Sequence, residues 1–413
     1  HDGGLGDGTT SEQVIADNQS APDAEPICTF DVCELGVQLH LPAPDDTVCG
    51  PGTPEQECLN GVCQGCTTDS DCDVRDRFCA DYTCEDIGGG AFACVATSFT
   101  TAGTPLPNVP QFVVAIWGAF KAGAVPTPMN PQLKRREIAH QLRDAGAKVI
   151  LALVHNLAEV EKAVAEVGDV QVIGVGGPSD HPRFREVLAQ PHFVEREGND
   201  PALQPYTSGT TGQPKGVVLT HRNLSSNVEA IIELLTIPPE HHRMLVPLPM
   251  FHITGMTVMM LAPLAQGATI YPMLRWDAEE TLQLIQEHAI TSMVGVPTLF
   301  IDMLNHPKCG DYDLSSLKVC SSGGAKLPEP VLDAFERKFG VTVYEGYGLT
   351  ETSPVTHTNL AAPARKPGSV GVAIQGCQAR VLDAEGGELP AGEVGELVVR
   401  GPMVMQGYHN TPE

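Results

Sequence analysis

From about residue 105, apolar positions alternate between two spacings, one typical of helices and one typical of strands. Apolar residues three or four positions apart predict helices, and short apolar runs bounded by turn-forming residues predict buried strands. The predicted helices span residues 113–123, 134–145, 156–167, 221–235, 278–288 and 328–339. The predicted strands span residues 148–153, 170–175, 202–207, 217–220, 244–248 and 292–296. This alternation is typical of an α/β fold with largely parallel, buried sheets.

The pattern changes on both sides of this α/β region, which we assign to residues 101–367. Residues 378–383 and 395–400 are strand-like runs between Gly-rich turns, so residues 368–413 are predicted to form a β-rich subdomain. Residues 1–27 are rich in Gly, Asp, Ser and Ala and lack apolar periodicity, so we expect them to be disordered. No apolar run reaches the roughly 18 residues of a transmembrane helix, and we expect no such segment.

Cysteines mark residues 28–100 as a separate module. Ten of the 13 cysteines lie between residues 28 and 94, where apolar residues are too sparse for a conventional core. Their even number permits five disulfides, which would supply the missing stability. Zinc is the alternative, because Cys63 and Cys66 form a CxxC pair, but no second close pair follows and His40 stands alone. We therefore predict a disulfide framework. The spacing of Cys66, Cys72, Cys79 and Cys84 resembles small cysteine-rich repeats of secreted bacterial surface proteins.

Net charge excludes some partners. The chain carries 25 Lys and Arg against 51 Asp and Glu, a formal charge of −26. Residues 1–100 hold 19 acidic residues and two Arg, so most of the imbalance lies there. Nucleic acid and anionic membrane surfaces attract Lys and Arg, so neither is an expected partner.

The sequence from Tyr206 to Gly216 carries the clearest chemistry. Three Gly, several hydroxyl residues and Lys215 lie in a tight loop between two predicted strands. Such a loop offers backbone N–H groups, hydroxyl donors and a cation to a polyphosphate. It differs from a Walker A loop, because Pro214 precedes the lysine, Gly216 follows it and a strand comes next. The alternative is a flexible, solvated hairpin.

Residues 206–224 resemble the signature of the AMP-forming adenylating enzymes, which include acyl-CoA synthetases, luciferases and the adenylation domains of peptide synthetases. Segments 247–255, 321–328, 344–352, 392–397 and 407–408 are similar to further motifs of that family, in the same order. The resemblance implies the large domain of the adenylate-forming fold, with α/β subdomains and a β-rich subdomain. Residues 323–328 and 346–354 are most similar to long-chain fatty-acid–CoA ligases. A peptide synthetase is less favoured, because His252 follows Phe251 where an Asp is expected.

The resemblance also implies which residues bind ATP. Side chains for the β- and γ-phosphates would be Thr207, Ser208, Thr210, Thr211 and Lys215. Gly209 and Gly212 would let the backbone approach those phosphates. Tyr347 would stack on adenine, with the backbone of Gly324 and Ala325 along its edge.

The remaining implied roles concern the reaction itself. Thr350 would contact the α-phosphate, Glu351 would bind Mg²⁺, and His252 would line the entrance for the carboxylate and acyl group; with Lys215 these form the predicted catalytic set. The implied reaction has two steps: a fatty acid and ATP give acyl-AMP and pyrophosphate, and CoA then displaces AMP. ATP, CoA and a fatty acid are the expected partners. His241 and His242 follow two prolines, and we expect both to be solvated rather than metal ligands.

The resemblance covers about three quarters of the chain, starting near residue 105. The similarity ends at residue 413, before the family's ribose-binding Asp and its small domain with the catalytic Lys. We therefore expect a truncated large domain that binds ATP and Mg²⁺ but adenylates poorly. Two alternatives stay open: a pseudoenzyme that binds a nucleotide or acyl-adenylate, and an extracellular Cys-rich interaction module with a passenger domain. Residues 101–413 are expected to be cytoplasmic, whereas the disulfides of residues 1–100 indicate an extracytoplasmic location.

Overall fold

The computed structural model describes strands within residues 29–96, and residues 101–176, 193–207 and 214–411. Contacts divide the chain into two compact units, His1–Ser98 and Phe99–Glu413. The first unit contains antiparallel strand pairs: β1 (Thr29–Glu34) with β2 (Val37–Pro42), β3 (Cys58–Leu59) with β4 (Val62–Cys63), and β5 (Tyr82–Gly88) with β6 (Ala91–Ala96). Their registers set Cys58 opposite Cys63 and Cys84 opposite Cys94. The predicted disorder of residues 1–27 lies outside the described residues, and the disulfide framework stays a prediction.

The second unit alternates helices and strands, as the sequence pattern predicts. The α-helices among its described residues are α1 (Pro110–Lys121), α2 (Arg135–Asp144), α3 (Leu157–Val167), α4 (His221–Leu234), α5 (Ala262–Gln266), α6 (Ala278–His288), α7 (Pro297–Asn305) and α8 (Glu329–Phe339). A π-helix covers Thr254–Leu261, and 3-10 turns cover Val154–Asn156, Pro239–His241 and Thr350–Thr352. The described helices include none that is both long and apolar enough to cross a bilayer.

The strands described in this unit form two larger sheets, one smaller sheet and a hairpin. They are β7 (Thr101–Thr104), β8 (Val125–Pro128), β9 (Ala147–Leu153), β10 (Gln171–Val175), β11 (Pro201–Leu203), β12 (Tyr206–Thr207), β13 (Lys215–Thr220), β14 (Arg243–Val246), β15 (Thr269–Pro272), β16 (Ser292–Gly295), β17 (Val319–Ser322), β18 (Val343–Gly348), β19 (Val355–Thr358), β20 (Val372–Ala373), β21 (Gln378–Leu382), β22 (Glu396–Arg400) and β23 (Gly407–Tyr408).

Sheet topology confirms the α/β prediction. One sheet has the order β10-β9-β7-β8 and is parallel throughout. The other has the order β15-β14-β16-β17-β18-β19-β20, parallel up to β18 and antiparallel at β19 and β20. A small antiparallel sheet joins β11, β12 and β23 to β13. The strands from residue 368 onward do not form one common sheet. β20 extends the seven-stranded sheet, β23 joins the small sheet, and β21 pairs with β22.

Apolar packing holds the small sheet against the large one. Val217 and Leu219 of β13 are fully buried in one cluster with Val246 of β14 and Met256 of the π-helix. Burying such a side chain stabilises the fold by about 1.5–3 kcal/mol. Because Lys215 begins β13, this packing fixes its strand relative to the end of β14.

Several details differ from the sequence-based expectations. The predicted strand 202–207 is two strands, β11 and β12, separated by two residues. Helix α7 was not predicted, although Pro297 occupies its first turn, where a missing N–H costs nothing. The prediction that His242 is solvated is wrong, because His242 is only 1% exposed. His241 is exposed, as predicted. Burial is possible because Nε2 lies 2.7 Å from Ser292 Oγ and Nδ1 lies 3.0 Å from Gln266 Oε1.

Burial of His242 predicts a loss of stability in acid. Desolvation lowers the pKa of His242 below its ordinary value of 6.5, with a smaller opposing effect of the Gln266 hydrogen bond. The unfolded chain therefore takes up a proton near pH 6.5 and the folded chain only at lower pH, so the free energy of unfolding falls as pH drops below about 6.5. One such group contributes a slope of at most about 1.4 kcal/mol per pH unit.

We expect His242→Gln to flatten this dependence, because the amide hydrogen-bonds without titrating. Urea unfolding at pH 7.5 and pH 5.5, followed by tryptophan fluorescence, measures it, since Trp117 and Trp276 both lie in the second unit. His241→Gln, at the exposed neighbour, should keep the wild-type slope. An unchanged slope in His242→Gln would contradict this account of His242.

Candidate functional site

The predicted phosphate loop sits on an antiparallel hairpin. Strands β12 and β13 pair so that Thr207 lies opposite Lys215 and Tyr206 lies opposite Gly216. Thr207 and Lys215 are half-buried and mark the two ends of the connection. The other predicted members, Ser208, Gly209, Thr210, Thr211 and Gly212, lie outside the described residues. The structure thus brings the two described members together.

The base of the hairpin is anchored to helix α2. The Tyr206 hydroxyl donates to Asp144 Oδ2 at 2.6 Å, and Gln204 Nε2 donates to the Tyr206 hydroxyl at 3.2 Å. Burial and the Asp144 carboxylate raise the pKa of Tyr206, so it stays a donor. A Cβ on Gly216 would lie 2.7 Å from Gln204 Nε2, so a larger residue there would displace the amide that donates to Tyr206. The sequence analysis predicted no role for Asp144 or Gln204. Asp144 is 62 positions from Tyr206, and Gln204 lies just outside the motif.

Thr350 and Glu351 lie in the 3-10 turn Thr350–Thr352, which follows β18. Thr352 Oγ1 closes this turn: it accepts from Leu349 N at 3.0 Å and donates to Pro354 O at 2.5 Å. Helix α4 holds the next residues, because Asn227 Nδ2 donates to Val355 O at 2.8 Å and Asn227 Oδ1 accepts from Val355 N at 3.2 Å. The turn is therefore fixed from both sides.

A third segment joins this turn to the hairpin. Strand β23 pairs with β13, and Met405 N, just before it, donates to Glu351 O at 2.8 Å. The Tyr408 hydroxyl donates to Glu351 Oε1 at 2.8 Å, and Lys215 Nζ lies 5.1 Å from the centroid of the Tyr408 ring. Lys215 and Glu351, predicted separately, thus share one neighbour. No role is predicted for Tyr408 from the sequence, although residues 407–408 belong to a matching segment.

His252 and Thr350 line one cleft of about 340 Å³. Most of its other walls are apolar or backbone: Leu248, Pro249, Ile253, Gly255, Val296 and Leu349. Desolvation lowers the pKa of His252, which favours a neutral imidazole at the wall. His252 is itself exposed at the cleft, and a neutral ring there can hydrogen-bond a carboxylate or carbonyl oxygen.

Asn108 supports one wall of this cleft from a distant part of the chain. Its Nδ2 donates to Leu248 O at 2.9 Å and to Val246 O at 3.3 Å. Its Oδ1 accepts from Met250 N at 2.7 Å. These bonds satisfy backbone groups where β14 ends, and they hold the segment that carries His252. Only the fold shows this role, because Asn108 and Met250 are separated by 142 residues.

The predicted adenine residues lie at the carboxyl ends of two neighbouring interior strands of the large sheet. Parallel strands β17 and β18 pair at Ser322 and Glu345, and both continue into the predicted segments. Gly324, with a φ of +75°, and Ala325 form an exposed turn after β17. Tyr347 lies near the end of β18 and is 38% exposed, so a face of its ring is available for stacking.

The donor set at Glu351 fits Mg²⁺ only together with ATP. The described residues contain no group of three or more His, Cys, Asp and Glu side chains suited to a metal ion. Mg²⁺ is commonly held by one or two carboxylates plus substrate phosphates, with several waters retained. Glu351, beside Thr350 and linked to Lys215 through Tyr408, supplies one such carboxylate. The residues present therefore fit the ion as a partner of a nucleotide.

The family model for AMP-binding enzymes matches residues 101–409. The chain belongs to this family. Among curated relatives of this AMP-binding enzyme, a long-chain-fatty-acid–CoA ligase of Bacillus subtilis (strain 168) is 35% identical over 344 residues, covering 75% of the chain and 61% of the relative. A 4-coumarate–CoA ligase of Pinus taeda is 36% identical over 324 residues, covering 75% and 60%. The chain thus spans about three fifths of the length of these relatives.

Solved structures agree with this membership of the AMP-binding enzymes. A long-chain-fatty-acid–CoA ligase from Archaeoglobus fulgidus matches with a TM-score of 0.69 and 28% identity, covering 75% of this chain and 65% of that one. The N-terminal domain of FACL13 from Mycobacterium tuberculosis matches with a TM-score of 0.69 and 31% identity, covering 76% and 78%. The predicted adenylate-forming fold is confirmed. The roles of the individual site residues stay predictions.

Proposed function

We propose that residues 101–411 activate a carboxylic acid with ATP, giving an acyl-adenylate whose acyl group passes to CoA. One observation carries the proposal. The turn Thr350–Thr352 contributes both to the apolar cleft and to the surroundings of Lys215. Thr350 lines the cleft, and Glu351 is hydrogen-bonded to Tyr408, whose ring lies against the Lys215 ammonium. An apolar cleft and a phosphate-binding hairpin that share a turn suit a reaction between a carboxylate and a nucleotide.

In the first step, a carboxylate oxygen attacks the α-phosphorus of ATP. The new P–O bond forms as the bond to the β-phosphate breaks, and pyrophosphate leaves. Lys215 stabilises negative charge on the leaving phosphates, Thr350 donates a hydrogen bond to the α-phosphate, and His252 orients the carboxylate. Preorganised donors and cations of this kind supply most of the rate in such transfers.

Glu351 is the residue that would hold Mg²⁺, an ion that neutralises charge on the phosphate oxygens. In the second step the thiol sulfur of CoA attacks the acyl carbonyl carbon, AMP leaves as the C–O bond breaks, and the thiol proton passes to solvent. The apolar side chains of the cleft limit the access of water to the mixed anhydride between the two steps.

We propose a fatty acid as the substrate. The cleft walls Leu248, Ile253, Val296 and Leu349 offer hydrocarbon surface, which an aliphatic chain buries favourably. Support also comes from the relative in Bacillus subtilis, a long-chain-fatty-acid–CoA ligase. The relative from Pinus taeda, a 4-coumarate–CoA ligase, makes an aromatic acid the competing substrate.

A direct test incubates the chain with ATP, Mg²⁺ and one acid from a panel, and detects acyl-AMP by mass spectrometry, with and without CoA. Hexadecanoate, octanoate, 4-coumarate and benzoate span the two chemical classes. We expect acyl-AMP from the fatty acids at levels well above those from the aromatic acids, and acyl-CoA once CoA is present. Preferential adenylation of 4-coumarate would overturn the choice of substrate, and ATP binding without any adenylate would favour a nucleotide-binding pseudoenzyme.

A further inference from the structure

Tyr408 contacts the two charged residues that the proposed function assigns to ATP and to its metal ion. Its hydroxyl donates to Glu351 Oε1 at 2.8 Å, and its ring centroid lies 5.1 Å from Lys215 Nζ. A cation this close to an aromatic face is attracted by the ring quadrupole. One side chain thus touches two groups that lie far apart in sequence.

The backbone determines where this ring lies. Tyr408 is opposite Val217 in the pairing of β23 with β13. The residues on either side of β23 continue the ladder: Gln406 N donates to Val218 O at 2.9 Å, and His409 N donates to Gly216 O at 2.7 Å. The ring therefore moves with the strand that begins at Lys215, so the spacing between them is set by sheet pairing.

The hydrogen bond also determines which oxygen of Glu351 is available. Oε1 accepts from Tyr408, whereas no hydrogen bond or ion pair among the described residues involves Oε2. A carboxylate held through one oxygen presents the other in a fixed direction, as supporting hydrogen bonds do around metal ligands.

We propose that Tyr408 is a positioning residue: it orients the Glu351 carboxylate toward Mg²⁺ and keeps the Lys215 ammonium beside the phosphate-binding hairpin. The inference rests on the proposed function, because it assigns Tyr408 to the same nucleotide. It adds a residue outside the predicted catalytic set. It also predicts that the two halves of the role separate, since the hydroxyl serves Glu351 and the ring serves Lys215.

Two substitutions separate these halves, with equilibrium binding as the readout. Calorimetric titration of ATP, with EDTA and then over a range of Mg²⁺ concentrations, measures affinity without turnover. Tyr408→Phe keeps the ring: we expect metal-free ATP affinity within twofold of wild type, and a rise of about tenfold in the Mg²⁺ concentration that gives half of the full enhancement. Tyr408→Leu removes both groups, so metal-free ATP affinity should fall as well, by about threefold or more.

The matched control is Tyr312→Phe. It removes a hydroxyl that donates to Glu279 Oε1 at 3.2 Å, and neither residue belongs to the proposed site. It should leave both measurements unchanged, and melting temperatures show whether each variant folds. Wild-type Mg²⁺ dependence in Tyr408→Phe would overturn the inference while leaving the proposed function intact, and so would equal loss of metal-free affinity in Phe and Leu variants. If the wild-type chain itself binds no ATP, with or without Mg²⁺, the proposed function fails first.

Discussion

Lys215→Ala is expected to weaken binding of MgATP by roughly 10- to 100-fold. A hydrogen bond to a charged group contributes about 1.5–3 kcal/mol, and losing the ammonium removes such a bond from the phosphates. Lys215 is half-buried at the start of β13, and among the described residues no carboxylate forms an ion pair with it. Apart from its contact with the Tyr408 ring, its charge is therefore available to a ligand. Calorimetric titration of MgATP measures the change.

Lys308→Ala is the matched control. Lys308 is exposed, follows helix α7 and pairs with Glu279 of helix α6 at 2.5 Å. Exposed ion pairs contribute little, about 0–1 kcal/mol, so this variant should keep wild-type stability and wild-type MgATP affinity. Equal affinities in all three proteins would show that the hairpin does not bind the phosphates.

Gly348→Ala is expected to cost about 3 kcal/mol of unfolding free energy and to abolish MgATP binding. A Cβ at this position would overlap the carbonyl oxygen of Pro354, which is backbone and cannot rotate aside. Overpacking typically costs 1–3 kcal/mol, and a collision with backbone lies at the upper end. The residues between Gly348 and Pro354 include Thr350 and Glu351, so relief of the overlap displaces them.

Gly310→Ala tests this reasoning with the same change at an open position. A Cβ on Gly310 would meet nothing within 4 Å. Its free energy of unfolding should stay within about 0.5 kcal/mol of wild type. Urea unfolding followed by tryptophan fluorescence compares the two variants. Equal stabilities for Gly348→Ala and Gly310→Ala would contradict the close packing of the turn that carries Glu351.

Local sequence patterns predicted much of the fold of residues 101–411. Helix α3 lies within the predicted helix 156–167, and α8 within 328–339, because each has one apolar face and charged residues opposite. Strands β18 and β19 were missed. Gly346 and Gly348 disfavour a strand locally, yet β17 on one side and β19 on the other hold β18 in the sheet.

For the candidate site, too, the sequence predicted the local features but not the contacts between distant segments. Its motif residues could be named from sequence, because contiguous segments carry them. Supporting contacts could not: Asn108 bonds residues about 140 positions away, and Tyr408 reaches Glu351 across 57 positions. His242 was misjudged for the same reason, because its partners Gln266 and Ser292 come from other elements. Such contacts depend on the tertiary arrangement, and no local pattern encodes them.

The central claim is that the hairpin and the apolar cleft form one site for ATP and a carboxylic acid. A stable acyl-adenylate analogue, in which a sulfamate replaces the phosphate of hexadecanoyl-AMP, tests this by equilibrium competition without turnover. The account predicts that the analogue binds more tightly than ATP or hexadecanoate alone, because it makes both sets of contacts, and that it displaces both. An analogue that competes with ATP but not with the fatty acid, or with neither, would contradict a single shared site.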